Sequence, residues 1–481
     1  MNPLLGFAPD ADPLAPGVMT DCTNVIPFET GFKGAPTAVS GGVAALAAAC
    51  QGAVVATKLD GVRRIFAGTA AALYEQSGAT WTDVSKVGGY AGGADSRWSI
   101  CQYGDSSIAA NGTDYIQRSN TSGAFATIAT APVAKIVFSV GAFVMAFNTN
   151  DGTVKPDGWH NCASFDDTSW TPSVTTLAAS GRLVSSPGAI TAGGRLGEFA
   201  VAYKETAIYV GQFVGAPSVW DWVQVPGANA GCIGQDAWCD LNGSHFVVGP
   251  DNFWLFDGTR PTPIGTGQVR QWFYNNSSAV YRYRTQCVYD AQNNRVWVFF
   301  PSISATAPDT ALVYHTIKKE WGKVSVSIQS VLNYVSAGVT IDGLDAIAAT
   351  IDALPDIPFD SQYWLSGGRS LSIFDTSHTL KSLTGACTTS SFTTGDFGDD
   401  NNVSTLTRAR LRFQSAPTSA TMAGFTKMNE GDSLTAGATS TMTDGHFDAL
   451  QSARFHRGRF DLVGDYSVNA IHPTAVPAGE R

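Results

Sequence analysis

Charge is scarce in this 481-residue chain: Asp, Glu, Lys and Arg together make up 15% of it, and 40 acidic against 30 basic side chains leave a net −10. That sign argues against a protein that grips nucleic acid, because non-specific affinity comes from Lys and Arg displacing the counterions of phosphates. Any DNA it meets is expected to slide past. No two cysteines are spaced CxxC; the eight, Cys22, Cys50, Cys101, Cys162, Cys232, Cys239, Cys287 and Cys387, are scattered. This excludes a zinc ribbon or a small disulfide scaffold and reads as free thiols made in a reducing cytoplasm. The longest apolar run, residues 134–147, is interrupted by Lys135, Ser139 and Gly141 and falls short of the roughly 20 residues a membrane-spanning helix needs. Residues 1–10 hold no Lys or Arg ahead of an apolar core, so no secretory leader is expected. Helical periodicity is equally rare, with short candidates only at Gly267 to Phe273 and Leu344 to Ala353.

What the chain has is glycine, 50 residues of it, and 44% hydrophobic side chains, the composition of a folded, turn-rich protein. From about Val54 to Gly385, short runs of Val, Ile, Phe, Tyr and Trp are cut by Gly, Asn, Asp, Ser and Pro, which predicts antiparallel hairpins. Asn111-Gly112 signals a tight type I′ turn, and Asp290 to Asn294 a second turn between Cys287-Val288-Tyr289 and Val296 to Phe300. A longer period overlies the hairpins. Aromatic markers recur as Tyr74 with Trp81, Tyr115 with Phe125, Trp159 with Trp170, Tyr209 with Trp222, Phe253 to Gly258, Tyr314 with Trp321, and Ile373 to Asp375. They lie about 40 to 60 residues apart, close to the roughly 40 to 50 of a four-stranded propeller blade. About seven such blades are expected, with the recurrent rings filling the space between sheets. A β-sandwich with long loops is the rival architecture.

After Gly385 the beat stops. Residues 405–413 alternate polar or basic with apolar side chains, as do residues 455–471, so each strand has one wet and one buried face. The expected organisation is an all-β chain: an N-terminal arm over residues 1–40, a β-propeller over 41–385 and a β-sandwich platform over 386–481.

Catalytic machinery is sparse. There is no GxxxxGK[ST], HExxH, GxSxG or Rossmann glycine pattern. Ser77 to Trp81 resembles the end of a sialidase Asp box, but Gln76 stands where the box needs Asp, and Phe165 to Trp170 lacks the glycine. Both read as hairpin turns backed by a core Trp. Residues 394–402 gather Asp396, Asp399 and Asp400 in a Gly-rich loop of oxygen-ligand character but without EF-hand spacing, and a solvated turn is expected. His160, His245, His315, His378, His446, His456 and His472 are isolated and show no ligand spacing. Arg454, Arg457 and Arg459 with His456 form the densest basic cluster, expected at a subunit contact rather than on DNA. No catalytic residue, metal or cofactor is expected, and the chain is not read as an enzyme.

The residues carry a family resemblance over about 5–330. Gly6 to Pro13, Pro16-Gly17-Val18, Asn24 to Pro27 and Gly31 to Pro36 resemble the opening of phage virion proteins of the tail nozzle or packaged-DNA-stabilisation class. Trp170-Thr171-Pro172, Gly193 to Val210, Gly231 to Gly234, Val247 to Gly258, Pro263 to Gly265 and Gln271 to Phe273 are similar to that family's successive blades. The resemblance implies a propeller on a β-rich platform, with six copies in a nozzle ring around the DNA channel of a short tail. It implies assembly in the host cytoplasm, residence in the virion tail, contact with the adaptor and with fibres, spikes or a needle, and double-stranded DNA passing without specific binding. The alternative is a phage propeller that binds or depolymerises host surface carbohydrate, which would call for paired axial carboxylates.

Overall fold

The computed structural model describes residues 2–227, 229–337, 350, 354 and 366–480. It is nearly all β. The short β-prone runs form meanders of four antiparallel strands, and six of these are complete sheets of their own. Blade 1 comprises Gly52–Thr57, Arg63–Gly68, Leu73–Ser77 and Thr80–Asp83; blade 2 Ser99–Tyr103, Ser106–Ala110, Gln117–Ser119 and Ala126–Thr127. Blade 3 comprises Val133–Val140, Phe143–Asn150, Val154–Asn161 and Ala179–Arg182; blade 4 Ile190–Leu196, Phe199–Lys204, Ile208–Gly215 and Val219–Gln224. Blade 5 comprises Trp238–Asp240, His245–Val248, Phe253–Phe256 and Pro261–Pro263. The last blade is Ser330–Ala337, Ser366–Phe374 and Leu380–Gly385, completed on its outer edge by Thr37–Ser40 from the other end of the chain.

Between blade 5 and the last blade stands a further meander, Gln286–Asp290, Arg295–Phe300, Thr310–His315 and Glu320–Ser325. It occupies a place in the ring, its first strand lying against Trp238–Asp240 on one side and Ser330–Ala337 on the other, which in turn closes onto Gly52–Thr57. It is not a separate sheet, however. Its outer strand pairs through Lys323 with Val25 and so continues into Val25–Phe28, Gly31–Gly34, Ser467–Glu480, Asn402–Ser415 and His446–Ala453, a ten-stranded sheet with Asn2–Pro3 beside Ser467–Glu480. Among the described residues, separate blades therefore number six against the about seven expected. The difference is this one meander, whose edge is paired rather than left open.

The second domain sets that ten-stranded sheet against a seven-stranded one, in which Gly6–Phe7, Val18–Thr23, Thr389–Thr394, Phe455–Val463, Ser419–Lys427 and Thr435–Thr441 follow in order and Phe397–Gly398 lies off the path. Phe447 and Phe460 meet between the sheets at 5.2 Å. Residues 2–34, expected as an arm, thus supply strands to both sheets, and Leu4, Phe7, Met19, Val25 and Phe32 are buried in a core that runs on into blades 4 and 5. Satellite cores lie between the other blades. Glycine permits close approach between blades: a Cβ on Gly194 would stand 2.1 Å from the Trp238 ring.

Two local expectations change. Asn111 does not open a two-residue turn; its Oδ1 accepts the backbone N–H groups of Thr113 (3.0 Å) and Asp114 (2.8 Å), making a wider loop before Gln117–Ser119. The expected helix at Gly267 to Phe273 forms a little later, over Arg270–Asn276, because Asp10 from the N-terminal segment caps it, accepting from Gln271 N at 2.5 Å and Trp272 N at 2.9 Å. The Asp290 to Asn294 turn forms, with Asp290 opposite Arg295 and Asn294 at φ +51°. Leu344 to Ala353 falls almost wholly outside the described residues. Among the described residues no helix is long and apolar enough to cross a membrane.

Candidate functional site

The segments that feed the innermost strands converge at one end of the propeller axis around a cavity of about 720 Å³. Each segment arrives from a different blade, so side chains remote in sequence face one another. Arg97, just before blade 2, places Nε 2.8 Å from Asp236, just before blade 5, and donates through a second nitrogen to the Gln329 carbonyl at 3.2 Å, just before the last blade. Arg284, ahead of the fused meander, pairs with Asp95 ahead of blade 2 and donates to Thr306 O at 2.6 Å, while the Tyr283 hydroxyl donates to Asp95 at 2.9 Å. Cys287 N donates to Asp236 O and Gln286 Nε2 to Gln329 O. The mouth is thus laced across its opening. Below it the innermost strands enclose about 340 Å³, lined by Trp98, Ile100, Ile136, Phe138 and Trp238 with Asp240. Asp240 is occupied with its own turn, accepting from Asn242 N at 2.8 Å.

The Arg284 and Tyr283 hydrogen bonds hold the Asp95 carboxyl below its ordinary value of 3.8. A depressed acid contributes its tie fully above the unfolded value and loses it as pH falls through the lower, folded value. The Asp95 tie should therefore persist at pH 3.8 and vanish only in stronger acid. At neutral pH, Asp95→Asn is expected to speed amide exchange across residues 93–98 by about two- to fivefold, the effect of an exposed ion pair. Exchange mass spectrometry measures this, and an unchanged rate would mean the tie carries no load. Acid–base catalysis calls for a carboxyl poised near neutrality. Among the described residues the one carboxyl pushed upward, by burial, is Glu320, which lines neither axial cavity.

The motifs singled out from sequence do not meet in this mouth. Ser77 and Thr80 flank a hairpin turn at Gly78 (φ +57°); Trp81 packs on Phe374 of the last blade at 5.8 Å and donates to Ala44 O, while Gln76 reaches the Tyr334 hydroxyl at 3.0 Å. Trp170 is fully buried and donates to Asp167 O; Asp166 caps Thr168, and Asp167 pairs with Arg118 of blade 2 at 2.7 Å. In the acidic loop Asp399 makes the expected turn, accepting from Asn401 N and Asn402 N at 2.7 Å each. Asp396 departs from expectation: it is buried, clamped between Arg457 (2.8 Å) and Lys427 (2.9 Å). Arg459 is paired with Asp461 at 3.1 Å, so two members of the basic cluster answer carboxylates of their own domain.

Among the described residues no three metal-ligating side chains cluster. His160, His245, His315 and His456 are buried, and burial holds each below its ordinary value. His245 takes the Tyr203 hydroxyl on Nδ1 at 2.7 Å and donates from Nε2 to Arg195 O at 2.9 Å. His378 meets Gln329, His446 lies 3.9 Å from Asp448, and His472 is exposed. All eight cysteines are free; burial pushes Cys50 up to about 11 and Cys22, Cys162 and Cys232 up to about 12. Sequence reasoning missed Asp95, Arg97, Asp236 and Arg284. The usable signal was their shared place, two to four residues ahead of an innermost strand.

Fold and mouth together define a β-propeller joined to a β-sheet platform. No family model matches the chain, and no curated protein does. Among solved structures it is similar to the computationally designed Ika8 protein, with 9% identity and a TM-score of 0.37 over 72% of this chain and 99% of that one. It is also similar to YCF48 bound to D1 peptide, with 11% identity and a TM-score of 0.37 over 62% of this chain and 86% of that one. The propeller rests on the strand pairing described above.

Proposed function

We propose that this chain is a structural subunit of the nozzle ring of a short phage tail, present in six copies, that lines and helps close the channel through which double-stranded DNA is retained and ejected. The observation that carries the reading is a propeller joined to a β-sheet platform, the architecture that the resemblance in residues 6–36 and 170–273 implies. Two features support it. Asp95 and Asp236, the carboxylates laced across the mouth, are each tied to an arginine, which suits a plug better than a hydrolytic site. A net charge of −10 keeps a channel wall from gripping the passing polymer. A duplex cannot thread the propeller's own axis past the Arg97–Asp236 tie, so the conduit runs between copies. Such a ring needs one patch to meet a different patch on the next copy, with the adaptor and the fibres, spikes or needle on its remaining faces.

Electron microscopy of the full chain on its adaptor, and of virions, tests the proposal. A sixfold ring on the tail axis is the expected result. Virions that lack the chain, or release of sugars from host surface polysaccharide by the pure protein, would replace this reading with the carbohydrate-directed one.

A further inference from the structure

Charges buried in proteins are paired or hydrogen-bonded, because desolvation is otherwise uncompensated. Arg295, on the strand Arg295–Phe300 of the fused meander, breaks that rule. It is 3% exposed, its Nε has no hydrogen-bond partner, and among the described residues no carboxylate lies within ion-pair distance of its guanidinium. It lies over the Phe28 ring, 5.6 Å from the centroid. Lys33, on the adjoining strand Gly31–Gly34, presses on the same ring with Nζ at 4.7 Å, and it too has neither hydrogen bond nor ion pair among the described residues. Two like charges therefore lie against one aromatic ring. Burial and the neighbouring Arg295 charge hold Lys33 below its ordinary value, and burial brings Arg295 down to about 10.

Both side chains line a cavity of about 470 Å³ at the seam of propeller and platform, with Arg369 of the last blade on its wall. Two carboxylates also line it, but each is engaged elsewhere. Asp290 accepts from Asn293 Nδ2 at 2.7 Å within its turn, and Asp465 accepts from Cys387 N at 2.7 Å. They and the exposed Glu29 act on the two cations only through space.

We propose that this seam cavity is an oxyanion site, in which Arg295 and Lys33 hold a free tetrahedral anion of the phosphate class. A guanidinium fork and an ammonium offer several N–H donors to such an anion, and a divalent charge offsets both cations at once. The site does not depend on the nozzle reading, since it concerns the join between the two domains in any assembly.

Calorimetric titration of the full chain with inorganic phosphate tests the site, together with melting in phosphate and in chloride at matched ionic strength. Saturable phosphate binding is expected, with a Tm that climbs with phosphate beyond the chloride control. Lys33→Met should weaken binding by about tenfold or more, and Arg295→Met should abolish it. Without phosphate, the Tm of Arg295→Met should stay level or rise, because an unpaired buried charge has gone. Lys33→Met, at a half-buried position, tests binding independently of whether Arg295→Met folds. No saturable binding, or binding undiminished in Lys33→Met, overturns the proposal. So does a large loss of Tm in phosphate-free Arg295→Met, which would identify Asp290 or Glu29 as the counter-charge. A DNA duplex that binds where inorganic phosphate does not would overturn the free-anion assignment.

Discussion

Deleting residues 1–40 is expected to leave no folded protein, although the sequence reads there as an N-terminal arm. Val18–Thr23 pairs with Thr389–Thr394, and Gly31–Gly34 joins the fused meander's continuation to Ser467–Glu480. Thr37–Ser40 supplies the outer strand of the last blade. Leu4, Phe7, Met19, Val25, Ile26 and Phe32 would all leave the core. Each large side chain removed from a packed interior costs about 2–5 kcal/mol, so the group exceeds the 5–15 kcal/mol by which whole domains are stable. Soluble yield and circular dichroism of the truncated chain measure the outcome. A truncated protein that melts cooperatively near the full-length Tm would show that these strands are accessory.

Trp321→Ala should be the most damaging single substitution, at about 3–5 kcal/mol. Trp321 lies on the strand Glu320–Ser325, where the fused meander turns into the platform, and is 1% exposed. Its ring sits 4.6 Å from Tyr314 and 5.0 Å from Phe253, and its Nε1–H donates to Gln268 Oε1 at 2.9 Å. Trp321→Phe keeps an aromatic body but orphans that acceptor, and about 1–3 kcal/mol is expected for it. Urea titration reads both, as a fall in midpoint at unchanged slope. Because the residue belongs to a core shared by both domains, a single transition should shift as a whole. A loss under 1 kcal/mol for Trp321→Ala would mean that the seam repacks.

The propeller was legible because its signal is local. Tyr74, Trp159, Tyr209, Phe253 and Tyr314 each fall on the third strand of a four-strand meander, and Trp81, Trp222 and Trp321 on the fourth. Rings at those positions fill the gap between neighbouring sheets, and a repeated gap imposes a repeated residue. The last marker, Ile373, lies on a second strand, where the beat had already weakened. Pairing across hundreds of residues left no comparable trace. The strands of residues 2–34 are two to six residues long and broken by proline, and their partners lie near the other end of the chain. Asp396 read as solvated because Arg457 and Lys427, which bury it, are not its neighbours in sequence. Lys204 escaped notice for the same reason: fully buried, it serves the carbonyls of Leu183 and Ser186 at 2.8 and 2.5 Å. Side chains that gather around an axis from separate blades carry no motif, so the mouth had to be seen folded.

The sheet running from Gln286–Asp290 to His446–Ala453 has a mechanical meaning. Swivelling the platform against the propeller would break the Lys323–Val25 pairing and prise Trp321 out of its nest of rings, so the join resists rotation. A push or pull delivered at Asn402–Ser415 would reach the propeller wall sideways, through Ser467–Glu480, Gly31–Gly34 and Val25–Phe28.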